Sequence, residues 1–268
     1  MPDWRSGLRR GDLRHPRLRS RVRDGERLIG TFVKSRDPAA AETLAIAGFD
    51  FIVADLEHSP LSVADAEEIV RACDCYEVPV IARIPATRLG LCGQLLDAGV
   101  TGIQVSDVTS AEAANAAQSA AHYPPLGERS LSLTTRAARF GAVPAALHVP
   151  ASLAQTVLIG QIESAEGVAA LDEIIESDVF DALFLGPMDL SVALRQPGQV
   201  DHPDIAAALE AAADAITGSG MPLGIFCANA EQALEWADRG LTLLVIATDM
   251  SMLAAAARST LRQLRTRS

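Results

Sequence analysis

The sequence predicts a single α/β domain, a (β/α)8 barrel (TIM barrel) with eight parallel strands inside a ring of helices. Three observations carry that expectation. The 268 residues suit one large α/β domain, and no linker or low-complexity stretch divides them after a short basic arm. Short β-rich runs alternate strictly with Ala-rich helical patterns, eight of each. The apolar half of the chain is mostly Ala, Val, Leu and Ile, with only 4% aromatics, as expected where parallel strands are buried under helices. A doubly wound open sheet is the competing architecture. It usually has fewer strands, and no G-x-G-x-x-G follows the first strand here.

In chain order, the strands read 28–33 (LIGTFV), 50–55 (DFIVAD), 78–84 (VPVIARI), 101–106 (TGIQVS), 157–162 (VLIGQI), 181–185 (DALFL), 222–226 (PLGIF) and 242–247 (TLLVIA). Helical patterns fall at 37–47, 64–76, 88–98, 110–121, 165–176, 204–219, 230–239 and 249–265. Asp37 before Pro38, Ser62, Ser110, and Asp204 after Pro203 are the expected N-caps. Gly48, Gly99 and Gly240 stand where helices should stop. Right-handed crossovers between such units give a parallel sheet, and eight repeats close it. The longest gap, 122–156, has no clean period. It holds Tyr123-Pro124-Pro125-Leu126-Gly127 and an Arg-rich turn from Arg136 to Arg139. Long loops in compact domains are often functional.

Charge divides the chain into an arm and a body. The first 27 residues hold nine arginines against four acids, a net +5, which leaves −16 for the remainder of a chain of net charge −11. An acidic body argues against nucleic acid as the main partner. Residues 1–16 read as an Arg-rich extension and 17–268 as the barrel domain. Arg9-Arg10 lacks the apolar segment of an export signal. No apolar run reaches the ~18 residues needed to span a bilayer, so a soluble protein is expected. Cys73, Cys75, Cys92 and Cys227 match neither a zinc pattern nor a disulfide framework, which points to a reducing cytoplasm.

Barrel enzymes carry their chemistry at the C-terminal ends of strands. The residues there are Asp55, Glu57 and His58 after the second strand, Arg83 at the third, Asp107 after the fourth, Gln161 and Glu163 at the fifth, and Gly186-Pro187-Met188-Asp189 after the sixth. Glu163 and Asp189 end neighbouring strands and could reach one point above the barrel. Two carboxylates with waters and a bidentate substrate suit Mg2+ or Mn2+, with Co2+ as a further candidate; the alternative is that each caps the helix after it. Asp55 and His58, three residues apart in a turn, could form an acid–imidazole dyad that works as a general base. Arg83 at the end of an apolar strand needs an anion, either a structural partner such as Glu57 or a developing enolate oxygen. Amides following Gly186-Pro187 could bind a carboxylate. The loops after strands seven and eight lack the glycines of a phosphate site.

These residues resemble the HpcH/HpaI aldolase family, the metal-dependent class II pyruvate aldolases. The segments that carry the resemblance are Ala47-Gly-Phe-Asp-Phe-Ile-Val-Ala-Asp55-Leu-Glu57-His58, Val80-Ile-Ala-Arg83, Gln94-Leu-Leu-Asp97-Ala-Gly99, Tyr123-Pro-Pro-Leu-Gly127, Gln161-Ile-Glu163 and Gly186-Pro-Met-Asp189-Leu-Ser191. The resemblance implies that Glu163 and Asp189 hold the metal, which a 2-oxo acid chelates through its carboxylate and keto oxygens. It also implies that Arg83 steadies the keto or enolate oxygen, that amides near Met188 and Asp189 hold the carboxylate, and that Asp55 and His58 move protons. Gln161, Gly186 and Pro187 would line the same substrate site. Asp97 would complete the site across a subunit boundary, within a homo-oligomer, trimer or hexamer, whose last helix is exchanged between neighbours. The chain departs from the family at Ser106-Asp107-Val-Thr-Ser-Ala-Glu112, where P-x-V-x-T-A-E is usual.

The leading mechanism is aldol cleavage or condensation of 4-hydroxy-2-oxo acids, giving pyruvate and an aldehyde. The alternative keeps the enolate but forms it by decarboxylating oxaloacetate, as in macrophomate-synthase-like relatives. A Schiff-base mechanism would have to use Lys34, the one lysine in the chain. A binding protein that grips nucleic acid through its arginine arm is the non-enzymatic reading.

Overall fold

The computed structural model describes residues 18–265; the 1–16 extension lies outside the described residues. Strands β1 (Leu28–Val33), β2 (Phe51–Asp55), β3 (Val80–Pro85), β4 (Gly102–Ser106), β5 (Val157–Ile162), β6 (Ala182–Leu185), β7 (Leu223–Cys227) and β8 (Leu243–Thr248) pair in parallel in sequence order. β8 closes on β1 to complete the barrel. Around it lie α1 (Leu18–Arg23), α2 (Pro38–Ala47), α3 (Val63–Asp74), α4 (Cys92–Ala98), α5 (Ala111–Ala121), α6 (Ala145–Gln155), α7 (Ala165–Ala169), α8 (Leu171–Glu176), α9 (Pro187–Ala193), α10 (Pro203–Gly218), α11 (Ala230–Asp238) and α12 (Asp249–Arg265). All eight expected strands form, shifted at most by two residues at either end.

Strand alternation divides the core in two. One set of side chains packs outward under the helices. The other fills the barrel: Leu28, Phe32, Phe51, Val53, Ile81, Val157, Ile159, Ala182, Phe184, Leu243 and Val245. Leu18 and Val22 of α1 belong to the inner set, so this short helix stops the N-terminal mouth. Asp181, just before β6, fixes it there. One oxygen accepts from Arg19 Nε at 2.9 Å and Arg23 Nε at 2.5 Å, the other from the Leu158 N–H at 3.0 Å.

Caps follow the sequence in three of four cases. Asp37 accepts from the Ala39 N–H, Ser62 forms a reciprocal capping box with Asp65, and Ser110 accepts from the Ala113 N–H. The expected Asp204 cap is corrected: His202 caps α10 through its ring, and Asp204 sits in the first turn. Pro203 takes the first helical position, which leaves the residue before it as the cap. The expected single helix at 165–176 breaks at Ala170, whose φ of −93° and ψ of 8° are not helical. The expected helix at 88–98 starts as tight 3-10 turns at 86–91 before α4. Three helices lie outside the eight expected helical patterns: α1, α6 and α9. Among the described residues no helix is long and apolar enough to cross a membrane.

Candidate active site

The inward parity of the strands decides what reaches the C-terminal mouth. Phe51 and Val53 point inward, so Asp55 does too. Ile81 precedes Arg83, and Val157 and Ile159 precede Gln161. The lower layers are apolar and the upper ones polar, in the same strands and on the same face.

Asp55 is fully buried. Arg83 grips it in fork geometry, Nε to Oδ1 at 3.0 Å and Nη2 to Oδ2 at 2.7 Å. Oδ1 also accepts from the N–H groups of Glu57 and His58. Burial alone would raise the Asp55 carboxyl. The hydrogen bonds and charge of Arg83, the His58 N–H and the Lys34 charge outweigh it and hold the carboxyl below its usual range. The Arg83 guanidinium lies 4.3 Å from the centroid of the Phe32 ring, and its Nη1 makes no hydrogen bond among the described residues. Glu57, the expected structural partner, is the more distant one, with Oε2 3.5 Å from Arg83 Nε.

The expected carboxylate–imidazole dyad is corrected in one respect. Asp55 meets His58 through the backbone N–H at 3.1 Å, because both carboxylate oxygens are committed to Arg83. The half-exposed His58 ring has Glu57 for its acidic neighbour, Nε2 to Oε2 at 3.9 Å. Glu57 is fixed in turn by the Ser106 hydroxyl, which donates to Oε1 at 2.5 Å, while its buried Oε2 accepts no hydrogen bond.

Opposite this pair, Gln104 Nε2 donates to Gln161 Oε1 at 2.5 Å, and Gln161 Nε2 donates to Glu163 Oε2. Glu163 Oε1 accepts from the Asp107 N–H at 3.0 Å. That amide is aimed by a left-handed backbone at Asp107, with φ of 53°, a conformation that aspartate tolerates better than most residues. Burial pushes the Glu163 carboxyl up to about 8, the charges of Asp189 and Glu57 add to the shift, and the Gln161 hydrogen bond and the Arg83 charge oppose it. Asp189, in the first turn of α9, is half-buried. Neither Glu163 nor Asp189 is paired with a cation among the described residues. Gly186 makes this arrangement possible: a Cβ there would lie 2.5 Å from Glu163 Oε2 and 2.8 Å from Glu163 Cβ. Pro187 has no N–H and opens α9, so the next amides, of Met188 and Asp189, are first-turn donors without helical partners.

The donor set fits a hard divalent cation. Two neighbouring carboxylates lack a positive partner, and burial penalises Glu163 while it is charged and alone. No group of three or more His, Cys, Asp or Glu with metal-holding geometry is found among the described residues. A cation here would take its remaining oxygens from water and substrate, as Mg2+ commonly does.

Asp97 is not brought to this mouth within one chain. It lies in the last turn of α4, which runs back towards the N-terminal end of the barrel, and its Oδ1 accepts from Arg129 Nη2 at 2.5 Å. Sequence reasoning missed Gln104 and Ser106; the signal for both was a polar residue at inward parity in β4.

The sequence profile of the HpcH/HpaI aldolase/citrate lyase family matches residues 28–256. The chain belongs to that family. It is accordingly an enzyme of the lyase type. A 2-dehydro-3,6-dideoxy-6-sulfogluconate aldolase of Pseudomonas putida is 36% identical over 239 residues, 89% of this chain and 93% of that protein. A hydroxypyruvate/pyruvate aldolase of Paraburkholderia phytofirmans is 32% identical over 254 residues, 92% of this chain and 97% of its own length. A crystal structure of an HpcH/HpaI family protein from Burkholderia cenocepacia matches with a TM-score of 0.87 at 32% identity, covering 92% of this chain and 98% of that one.

Proposed function

We propose that the protein is a divalent-metal-dependent aldolase that cleaves or forms the C3–C4 bond of 4-hydroxy-2-oxo acids, exchanging them with pyruvate or a close analogue and an aldehyde. The observation that carries the reading is the pair of cation-free carboxylates, Glu163 and Asp189, facing an arginine whose Nη1 is unused. Glu163 and Asp189 would hold the cation, Mg2+, Mn2+ or Co2+. When bound, that ion supplies Lewis-acid polarisation of the 2-oxo group and orients the acid. Arg83, clamped by Asp55 and backed by Phe32, offers Nη1 to the oxygen that gains charge as the enolate forms. Its geometry is set before the reaction, which is what makes such a donor effective. The amides of Met188 and Asp189 receive the substrate carboxylate, with Gln161, Gly186 and Pro187 shaping the wall. His58 takes the proton from the 4-hydroxyl on cleavage and returns it on condensation; Asp55 acts on it through the backbone and Arg83 rather than through the ring.

Lys34 lies 3.3 Å from Asp55 Oδ2. There it is engaged in an ion pair, whereas Schiff-base chemistry needs a free amine as nucleophile. The described cysteines are unpaired, which suits a reducing, cytoplasmic setting. A homo-oligomer, trimer or hexamer, is supported by α12, which leaves Leu253, Leu261 and Leu264 exposed; in such an assembly Asp97 would serve a neighbour's site.

The test is a screen of pyruvate, hydroxypyruvate and oxaloacetate against a panel of aldehydes, with metal and with chelator. Aldol turnover that chelator abolishes, and that Glu163→Ala and His58→Ala lose, is expected. Turnover of oxaloacetate to pyruvate and CO2 with no aldehyde consumed or released would replace this reading with the decarboxylase one.

A further inference from the structure

The charges around the mouth are segregated. The loops after β4, β5 and β6 bring Asp107, Glu163 and Asp189, all acids. The loops after β1 and β3 bring Lys34, Arg36 and Arg88, on either side of the β2 loop that carries Glu57 and His58. Arg36 donates to the Pro60 carbonyl at 2.7 Å and Arg88 Nη1 to the Leu56 carbonyl at 3.4 Å, so both flank the loop that carries His58. Lys34 is set most firmly. Asp249, nearly buried at the start of α12, accepts from the Lys34 N–H at 3.0 Å and the Ser35 N–H at 2.9 Å. That pins the loop and delivers the ammonium beside Asp55.

Asp55 does not use up this ammonium. Its charge is already met by the Arg83 fork and two backbone amides. Lys34 Nζ contributes charge at 3.3 Å but makes no hydrogen bond among the described residues, and its side chain is 28% exposed. Beside its ion pair with Asp55, the part-exposed ammonium therefore keeps N–H donors for a further anion, on a loop held by Asp249.

We propose that Lys34 is a specificity-determining residue that binds an anionic group, carboxylate or sulfonate, on the aldehyde half of the substrate. This deepens the aldolase reading and rests on it. The 2-oxo acid would occupy the acidic side of the mouth and the anionic tail the basic side, so the substrate is charged at both ends.

The experiment compares glyoxylate with glycolaldehyde as acceptors for pyruvate, with Mn2+, in the wild type, Lys34→Met and Lys34→Arg. The ratio of kcat/KM for glyoxylate over glycolaldehyde is expected to fall about tenfold or more in Lys34→Met and to recover largely in Lys34→Arg. An equal fall for both acceptors would mean that Lys34 only supports Asp55, and would overturn the proposal. A second readout needs no turnover. Lys34 is the one lysine, so acetylation by an N-hydroxysuccinimide ester can be followed on its peptide by mass spectrometry. Succinate should slow that labelling and succinamide should not; equal rates would overturn the anion site. Should no aldehyde be consumed at all, the aldolase reading fails, while the labelling still decides whether Lys34 binds anions.

Discussion

Gly186 sets the spacing between the two candidate metal-binding carboxylates, because any Cβ would strike the Glu163 side chain. Gly186→Ala should leave the barrel folded by circular dichroism and lower kcat/KM by about 100-fold, the usual consequence of an ångström-scale misplacement. Glu163 carries a pH signature. Its metal-free pKa of about 8 lies above the ordinary 4.5, so the fold holds this proton more tightly than the unfolded chain does. That contribution to stability is complete below the unfolded value and is lost as pH rises through about 8. The Tm of metal-free protein should therefore fall over this window relative to Glu163→Gln. Metal must displace the same proton, so apparent affinity measured by calorimetry should rise by about tenfold per pH unit and level off above about 8. The identities of these residues were readable from the chain because acids at strand ends are conspicuous. Their partners were less so. Asp55 looked like the companion of the nearby His58, but the neighbouring strand brings Arg83 level with it, and a fork of two hydrogen bonds outweighs adjacency in sequence.

At the scale of elements, regular repeats were legible and irregular ones were not. The strands announced themselves as aliphatic runs between turn residues, and α2, α3, α5, α10 and α11 through their spacing and caps. α6 lies in the stretch without a clean period; Pro144 stands as its cap residue and Pro150 lies inside, at the loss of one backbone hydrogen bond. α9 is seven residues long, too short to show a 3.6-residue period. The β8 edge held another surprise, a register shift opposite Gly30 and Phe32 with Ala247 at φ of 56°. No local sequence signal marks that bulge, which twists the strand end at the mouth. The start of α12 is tied to the end of β1 by Asp249. Asp249→Ala would leave the Lys34 and Ser35 amides without partners and should destabilise the protein by about 2 kcal/mol, measurable as a lower urea midpoint.

Across the whole molecule, one chain builds a closed barrel, plugged below by α1 and open above. Two features point beyond it. α12 projects Leu253, Leu261 and Leu264 into solvent, and Asp97 lies far from its own chain's mouth. If Asp97 acts in a neighbour's site, mixing the inactive variants Asp97→Ala and His58→Ala under subunit exchange should restore part of the activity; no recovery would confine the site to one chain. The central claim is that Glu163 and Asp189 share a cation with a 2-oxo acid. Anomalous diffraction from crystals grown with Mn2+ and pyruvate tests it most directly. The account predicts one peak between the two carboxylates, with the pyruvate carboxylate and keto oxygens bound to it and Arg83 Nη1 beside the keto oxygen. A protein active in chelator, with no peak at that position, would contradict it.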